Sequence, residues 1–330
     1  MPEPALFILV IIFAVGFAVV NGFNDAANAI ATVIGTRVLS PLRAVIMAAI
    51  LNFTGAATGT AVALFIGTRI INQDALLSQG YSIMIAAMAA VIIWGVVATY
   101  RGLPVSISHS FIAGLVGAGM AAAGTGIILW GGFGTVLSAV AIAPALGFAG
   151  GLLVMVALMW ILRRTAPLRV EGIFSRLQIL SAAFMAYAHG KNDGQMPIGI
   201  LAMALMIQTG AEFHIEAWMW VLSATAISLG TAFGGWRVIR TVGIRITALR
   251  PVHGFAATSS AAAVIEIASA LGIPVSTTHC MSSSIMGVGT TKRLSAVRWG
   301  VAGNIVLAWV LTFPICGGIG WLLASLGHLF

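Results

Sequence analysis

The stretch NGFNDAANAIATVIGTR, Asn21 to Arg37, places one acid and three asparagines inside a segment that is otherwise apolar enough to cross a bilayer. Apolar runs of about 20 residues, the length of a membrane-spanning helix, recur from Ala5 to the C-terminus. Hydrophobic residues make up 60% of the 330 residues and charged ones only 7%, and the mean hydropathy is +1.08. The sequence therefore predicts an all-α, multi-pass integral membrane protein without a separate soluble domain.

The positive charge of the chain has a topological explanation. The net charge is +8, but Arg and Lys stand mainly in short connections, where positive charge marks the cytoplasmic side. The expected partner is therefore the lipid bilayer of the cell's inner (plasma) membrane, and not nucleic acid. The first apolar run follows Met1 to Pro4 without a basic region or cleavage site, so we expect a retained helix. Cys280 and Cys316 stand in apolar context, and the sequence predicts no disulfide and no cofactor.

Two segments of the sequence recur at nearly the same offset. GFNDAANAI (22–30) returns as GKNDGQMPI (190–198), 168 positions later when measured from Asp25 to Asp193. GLPVSISHS (102–110) returns as GIPVSTTHC (272–280), 170 positions later when measured from Ser106 to Ser276. Two matches in the same order indicate a duplication. We therefore expect two halves, residues 1–165 and 166–330.

The basic residues predict that the two halves are inverted. Arg37 and Arg43 follow the first Asn-Asp segment, whereas the arginines between 163 and 176 precede the second. If both groups are cytoplasmic, the two Asn-Asp helices run in opposite directions and the N-terminus lies outside. Inverted repeats of this kind allow secondary transporters to open a midplane site to each side in turn. The sequence does not assign a side to the connection 292–298.

Short segments rich in proline, serine and glycine interrupt the apolar pattern. Residues 104–119 and 274–289 resemble re-entrant half-helices, and we expect further helix breaks at the two Asn-Asp segments. Pro144 interrupts the long apolar run 127–162. Non-helical backbone is tolerated inside a membrane only where protein or a water-filled cavity satisfies it. These positions therefore predict a polar interior.

Two acids within apolar segments are candidates for function. An ionisable group near the bilayer centre costs at least a few kcal/mol and is usually functional, although a buried structural hydrogen bond is the alternative for Asp25 and Asp193. Carboxylate and amide oxygens suit a hard cation such as sodium, and a carboxylate alone can instead carry a proton. The predicted coupling-cation set is Asn24, Asp25, Asn28, Asn192 and Asp193.

The Pro-Val-Ser segments predict an anion site. A proline that opens a helix is followed by hydroxyl residues, which can donate alongside free backbone N–H groups at the positive end of the helix. An ordinary N-cap is the alternative for each copy alone. Together with the two aspartates, the candidate substrate ligands are Ser106, Ser108, Ser110, Ser276, Thr277 and Thr278.

Four other residues have open roles. His109 and His279 occupy equivalent places and either donate to the anion, carry a proton or orient the hairpin, of which we favour the last. Glu266 is either a proton site or an acid that faces a cavity. Lys191 neutralises the substrate, pairs with Asp193 or extends toward the cytoplasm. Because no His-x-x-x-His or paired-Cys spacing occurs, the sequence predicts no transition-metal site.

These segments, together with RWGVAGNIVLAWVLTFP (298–314), resemble the signatures of the inorganic phosphate transporter family, and most closely its bacterial branch. The resemblance implies a dimeric inverted-repeat symporter that imports inorganic phosphate with sodium or protons. It also implies that the five residues of the cation set form the cation and substrate core and that the hairpin hydroxyls hold phosphate. The bacterial branch includes proton-coupled carriers of metal-phosphate complexes.

Three positions depart from the family pattern. Ile107 stands where the family usually has a hydroxyl residue, Met196 where bacterial members often have lysine, and Thr258 where an acid is usual. The two halves of the site are therefore not equivalent.

The predicted function is cation-coupled phosphate symport. The alternatives are a proton-coupled metal-phosphate permease, a permease for sulfate or another oxyanion, and a pore. An intramembrane phosphohydrolase is a remoter alternative, because the sequence shows no nucleophile with its base and no large polar loop.

Overall fold

The structure, a computed structural model, describes residues 3–327, apart from the side chains of residues 74, 75, 78 and 327. Within these residues the chain forms helices and no β-strand. The helices are α1 Glu3–Gly35, α2 Pro41–Ala56, α3 Ala61–Arg69, α4 Gln73–Arg101, α5 Ile107–Ala123, α6 Trp130–Ile161, α7 Pro167–Asp193, α8 Gln195–Thr209, α9 Ala217–Phe233, α10 Trp236–Arg240, α11 Pro251–Ala270, α12 Thr277–Thr290 and α13 Trp299–Gly327. A π-helical turn, Thr241–Arg245, continues α10.

Four of the described helices are long and apolar enough to cross a membrane, namely α1, α4, α6 and α13. Two further spans arise if each bent pair counts as one, because α2 and α3 meet at 62° and α9 meets α10 at 63°. Exposed leucine, isoleucine and tryptophan side chains cover the outer faces of these helices, as is usual for surfaces in contact with lipid. The prediction of an all-α integral membrane protein is confirmed.

The two Asn-Asp segments differ in backbone structure. α1 continues without a break through Asp25, so the break expected there is absent. α7 ends at Asp193, and α8 begins after Gly194. Pro197 explains the difference, because it has no N–H to donate to the carbonyl four residues earlier, whereas the matching position of the first copy is Ala29. A proline does not always end a helix here, since α6 continues through Pro144.

The two Pro-Val-Ser segments have the same backbone geometry. Gly102 and Gly272 each adopt a φ of 71°, a left-handed conformation that glycine takes at little cost and that ends the preceding helix. Ser106 and Ser276 then cap the short helices α5 and α12, because each side chain accepts a hydrogen bond from the backbone N–H three residues later. The expectation of short helices after each proline is met.

The helices pack in equivalent pairs across the two halves of the sequence. α5 lies along α13, and α12 lies along α6; likewise α1 lies along α9, and α7 along α2. Glycines permit the close approach, since a Cβ on Gly117 would lie 2.0 Å from the Gly317 carbonyl oxygen, and a Cβ on Gly287 would lie 2.1 Å from that of Phe148. Each short helix is therefore held against a long helix from the other half.

Basic connections meet at one end of the molecule. The C-terminal end of α1 adjoins the turn Thr241–Arg245, since a Cβ on Gly35 would lie 2.4 Å from a carbonyl oxygen of that turn. Arg298 and Lys292 donate to backbone carbonyls between residues 244 and 248. The connection whose side the sequence left open therefore lies with the other basic connections. We refer to this end as the basic end.

Candidate functional site

Two buried carboxylates from different helices form the centre of the site. Asp25 of α1 and Asp193 of α7 are 1% and 0% exposed. The hydroxyl of Thr278 donates to Asp25 Oδ1 at 2.6 Å. Asp193 accepts from Ser108 at 3.1 Å and from Thr277 at 3.2 Å. The first residues of α5 and α12 therefore meet the two acids that the sequence singled out.

Asn28 joins the same group from one turn further along α1. Its Nδ2 lies 2.8 Å from Asp25 Oδ1, 2.9 Å from the Thr278 hydroxyl and 3.2 Å from the Thr277 hydroxyl. The halves contribute unequally, as the sequence indicated. The positions that match Asn28 and Thr277 are Met196 and Ile107, both buried and without a polar side-chain atom that donates.

His189 lies between the two acids, and the sequence analysis did not single it out. Its Nε2 is 3.2 Å from Asp193 Oδ2 and 3.9 Å from Asp25 Oδ2. The signal was present, because His189 directly precedes the quoted repeat 190–198 and lies one helical turn before Asp193. The matching residue of the first half is Asn21, so the repeat does not pair His189 with a second histidine.

A chain of hydrogen bonds fixes the state of the other ring nitrogen. Thr231 donates to the Ile227 carbonyl at 2.9 Å, so its oxygen accepts from Asn52 Nδ2 at 2.8 Å. Asn52 Oδ1 is then an acceptor, and His189 Nδ1, 2.8 Å away, is its donor. Nε2 therefore faces the carboxylates either with a second proton or with a free lone pair. A proton or a metal cation fits between these groups.

The acids and His189 also form a potential ligand set for a metal ion. Their ligand atoms all lie within 4.8 Å of one another, and all three residues are buried. A histidine that ligates a metal usually donates its other N–H to a fixed acceptor, as His189 does to Asn52. This set has no regular His or Cys spacing in the sequence, because its members lie on two helices and include only one histidine.

Two asparagines of the predicted cation set have partners outside the centre. Asn24 donates to the Thr99 hydroxyl of α4 at 2.6 Å. The amide of Asn192 lies 2.8 Å from the Ser269 hydroxyl of α11, and in the orientation that satisfies both of its ends Nδ2 is 2.9 Å from Asp193 Oδ1. Asn24 and Asn192 therefore anchor the acidic segments to equivalent neighbouring helices, with Asn192 also in contact with the centre.

The remaining serines serve the backbone of the short helices. Ser106 and Ser276 are the N-caps of α5 and α12, and Ser110 donates to the Ser106 carbonyl at 2.6 Å. Of the six predicted hydroxyl ligands, three contact the acids and these three do not. The N-cap alternative is thus the observed role of Ser106 and Ser276.

The two paired histidines contact each other and other aromatic rings. The rings of His109 and His279 pack edge to face with centroids 5.0 Å apart, and His279 also packs on Trp309 with centroids 4.0 Å apart. Among the described residues, neither ring donates or accepts a hydrogen bond. Both side chains are buried and packed against aromatic rings, and the orienting role favoured above stays a prediction.

Lys191 and Glu266 form an ion pair with each other at the edge of the site. The pair joins α7 to α11, and the two side chains are 20% and 28% exposed. Lys191 therefore does not pair with Asp193. The neighbouring Gln195 accepts from the N–H groups of Val62 at 2.8 Å and Ala63 at 3.2 Å. These bonds satisfy the buried first N–H groups of α3, at the bend after α2.

A sequence profile described as the phosphate transporter family matches residues 21–170 and 163–320. The chain belongs to this phosphate transporter family. The resemblance drawn from the quoted segments is therefore confirmed.

Bacterial relatives of this family member are similar over nearly their whole length. A probable low-affinity inorganic phosphate transporter from Rhizobium meliloti is 43% identical over 312 residues, which are 94% of this chain and 92% of the relative. A protein of the same description from Bacillus subtilis is 41% identical over 318 residues, 96% and 95% of the two chains.

The family member also has a solved structural neighbour, described as the sodium-dependent phosphate transporter. The two share 26% sequence identity with a TM-score of 0.90, and the match covers 99% of this chain and 100% of the neighbour. The family and these relatives are named as transporters and not as enzymes, which confirms the prediction of a transport protein over that of a phosphohydrolase.

Proposed function

We propose that the protein imports inorganic phosphate across the inner membrane by cation-coupled symport with alternating access. The main support is that the N-terminal ends of α5 and α12 both contact the buried carboxylates of Asp25 and Asp193. The family and the names of the bacterial relatives support phosphate as the substrate. The structural neighbour's description supports a cation as the partner ion.

The N-terminal ends of α5 and α12 are suited to a tetrahedral oxyanion. Ser108, Thr277 and Thr278 have hydroxyls that donate to carboxylates here, and the same donors can serve phosphate oxygens. The positive ends of two helices add favourable electrostatics without a buried arginine. Phosphate then occupies the space beside the acids, held by donors from both halves.

Charge balance explains why phosphate requires a cation. Asp25 and Asp193 carry two negative charges in a buried site when both are ionised, and His189 supplies at most one positive charge. An uncompensated charge in such surroundings is costly, and an anion beside it is repelled. A sodium ion or a second proton between the acids removes this repulsion, so phosphate binds tightly only after the cation.

An inverted repeat supplies the alternating access. A two-fold relation between residues 1–165 and 166–330 requires that each helix pair has an equivalent pair. The pairing of α5 with α13 is equivalent to that of α12 with α6, and the pairing of α1 with α9 is equivalent to that of α7 with α2. The basic end is then cytoplasmic by the charge rule, which leaves the N-terminus outside. Rocking of the paired helices exposes the acids to each side in turn. A homodimer stays a prediction from the family resemblance.

Uptake of radiolabelled phosphate into proteoliposomes tests the proposal. Asp25→Asn and Asp193→Asn each remove a charge and keep the side-chain shape, so both are expected to abolish cation-coupled uptake. Glu171→Gln is the matched control, because Glu171 is exposed and lies outside the site. Cation-coupled uptake that persists in both aspartate variants at the control rate would rule the proposal out.

The coupling ion is tested with imposed gradients. Uptake is measured under an inward sodium gradient at equal pH, and then under an inward proton gradient without sodium. Stimulation by one gradient and not by the other assigns the ion. Stimulation by neither gradient, with phosphate still moving down its own gradient, shows uncoupled transport, and single-channel recording then tests whether the rate is that of a pore. Competition by excess sulfate in the same assay tests the oxyanion alternative.

A second candidate function is proton-coupled transport of a metal-phosphate complex, which the contact of His189 with both acids favours. In this case Nε2 presents its lone pair to a divalent metal that enters with phosphate. Uptake then falls when divalent metals are chelated, and His189→Gln removes the dependence on metal. Uptake that is unchanged by chelation excludes this candidate and leaves the sodium or proton symporter in place.

A further inference from the structure

Four arginines line a pocket at the basic end of the molecule. The pocket has a volume of about 290 Å³ and is formed by Arg101, Gly102, Arg237, Arg240 and Arg245. The arginines come from the end of α4, from α10 and from the π-helical turn, and all four are exposed. Among the described residues, no carboxylate lies within 4.0 Å of these guanidinium groups.

One wall of this arginine pocket is fixed by specific contacts. The Arg237 guanidinium lies 4.2 Å from the centre of the Tyr100 ring and donates to the Tyr100 carbonyl. Thr241 donates to the Gly102 carbonyl at 2.8 Å, which holds the turn after α4 against the π-helical turn that continues α10. The pocket is therefore a defined feature of the fold and not a chance approach of surface side chains.

We propose that this arginine pocket binds the phosphate group of an anion at the membrane surface. Four like charges that share one pocket repel each other unless an anion lies between them. Guanidinium groups match the oxygen geometry of phosphate and can donate in pairs. The ligand is either inorganic phosphate or the headgroup of an anionic lipid. The pocket differs from the buried site in its exposure and in its donors, so it does not depend on the proposed transport mechanism.

Calorimetric titration of the full-length protein with inorganic phosphate, in phosphatidylcholine nanodiscs, tests this proposal. The background variant Ser108→Ala/Thr278→Val removes donors from the buried site. In that background Arg240→Gln/Arg245→Gln is compared with Arg163→Gln/Arg164→Gln, which makes the same change of charge at exposed arginines in another connection. Arg237 is left intact because its stacking on Tyr100 supports the local fold.

The background variant is expected to retain phosphate binding, and R240Q/R245Q is expected to weaken that binding by roughly tenfold, since exposed charge-assisted hydrogen bonds are partly screened. R163Q/R164Q should leave it unchanged. Absence of binding in the background, no effect of R240Q/R245Q, or an equal effect of both double variants would overturn the proposal. If R240Q/R245Q does not purify as a folded protein, the single variant Arg101→Gln replaces it with the same expectation.

Nanodiscs that contain phosphatidylglycerol distinguish the two sources of the phosphate group. If the lipid headgroup occupies the arginine pocket, binding of inorganic phosphate is weaker in these discs, and R240Q/R245Q removes the difference. If free phosphate is the ligand, both lipid compositions give the same affinity. Either result upholds the pocket as a phosphate-group site and identifies its occupant.

Discussion

The contact between α5 and α13 leads to a prediction that compares two glycines on opposite sides of one interface. An added Cβ on Gly117 would lie 2.0 Å from the Gly317 carbonyl oxygen, whereas an added Cβ on Gly317 would lie 3.5 Å from the Ala113 carbonyl oxygen. Gly117→Ala therefore requires α5 and α13 to separate, because the new Cβ clashes with a backbone atom that cannot rotate away as a side chain could. Gly317→Ala fits the existing space.

The magnitude follows from these distances. Ordinary contact begins near 3.4 Å, so the helices must separate by at least about 1.4 Å to accept Gly117→Ala. Overpacking of this kind costs about 1–3 kcal/mol or more, while alanine gains about 1 kcal/mol over glycine within a helix. We expect Gly117→Ala to be destabilising by about 2 kcal/mol and Gly317→Ala to be neutral or stabilising. In thermal unfolding this is a decrease of roughly 3 °C for Gly117→Ala, since the entropy of unfolding of 330 residues is about 0.7 kcal/mol/K.

The same displacement affects the site, because α5 carries Ser108 against Asp193 at 3.1 Å. A misplacement of about 1 Å can reduce activity by about a hundredfold, so phosphate uptake by Gly117→Ala should fall strongly while Gly317→Ala retains it. The assays are thermal unfolding in detergent and proteoliposome uptake. If Gly117→Ala melts at or above the wild-type temperature, the close packing of α5 on α13 is refuted.

Three further predictions concern the site and its surroundings. Thr278→Val removes the hydroxyl that donates to Asp25 and should reduce phosphate uptake at low substrate concentration by roughly 10- to 100-fold. Thr278→Ser keeps a hydroxyl and should retain most of the uptake. Equal uptake by the two variants would contradict a role of the hydroxyl in substrate binding. Glu266→Gln leaves Lys191 without its partner and should lower the unfolding temperature. The apolar double variant Lys191→Met/Glu266→Leu should restore the unfolding temperature and retain phosphate uptake, since an ion pair that serves only stability can be replaced by apolar side chains. His109→Leu should leave the pH profile of uptake unchanged, because its ring has no hydrogen-bond partner among the described residues, and a shifted profile would instead assign it a role in proton transfer.

The helical architecture could be predicted from composition and from the repeated segments. The limits of α1 and α6 follow the apolar runs, and the short helices α5 and α12 follow from glycine, proline and serine in fixed order. The bends between α2 and α3 and between α9 and α10 were not predicted, since neither junction contains a proline. Those bends depend on tertiary contacts, such as the capping of α3 by Gln195, which a local pattern does not contain.

The centre of the site could be predicted to the level of helices but not of individual contacts. Duplication identified Asp25, Asp193 and the hydroxyl segments, because both members of each pair carry recognisable polar residues. It could not separate Thr278, which contacts an acid, from Ser276, which caps a helix, since both are hydroxyl residues at a helix start. His189 was missed because the matching residue of the first half is Asn21, so the duplication did not mark the histidine.

The difference between Ala29 and Pro197 has a mechanical consequence. Asp25 lies within the continuous helix α1, whereas Asp193 lies at the junction between two shorter helices, α7 and α8. Bending between α7 and α8 lets Asp193 change its direction while the rest of α7 stays in place. The backbone of Asp25 can reorient only if the whole of α1 tilts. In the alternating access proposed above, opening toward one side of the membrane therefore needs a different set of movements from opening toward the other. The two half-cycles should then have unequal rates and temperature dependences.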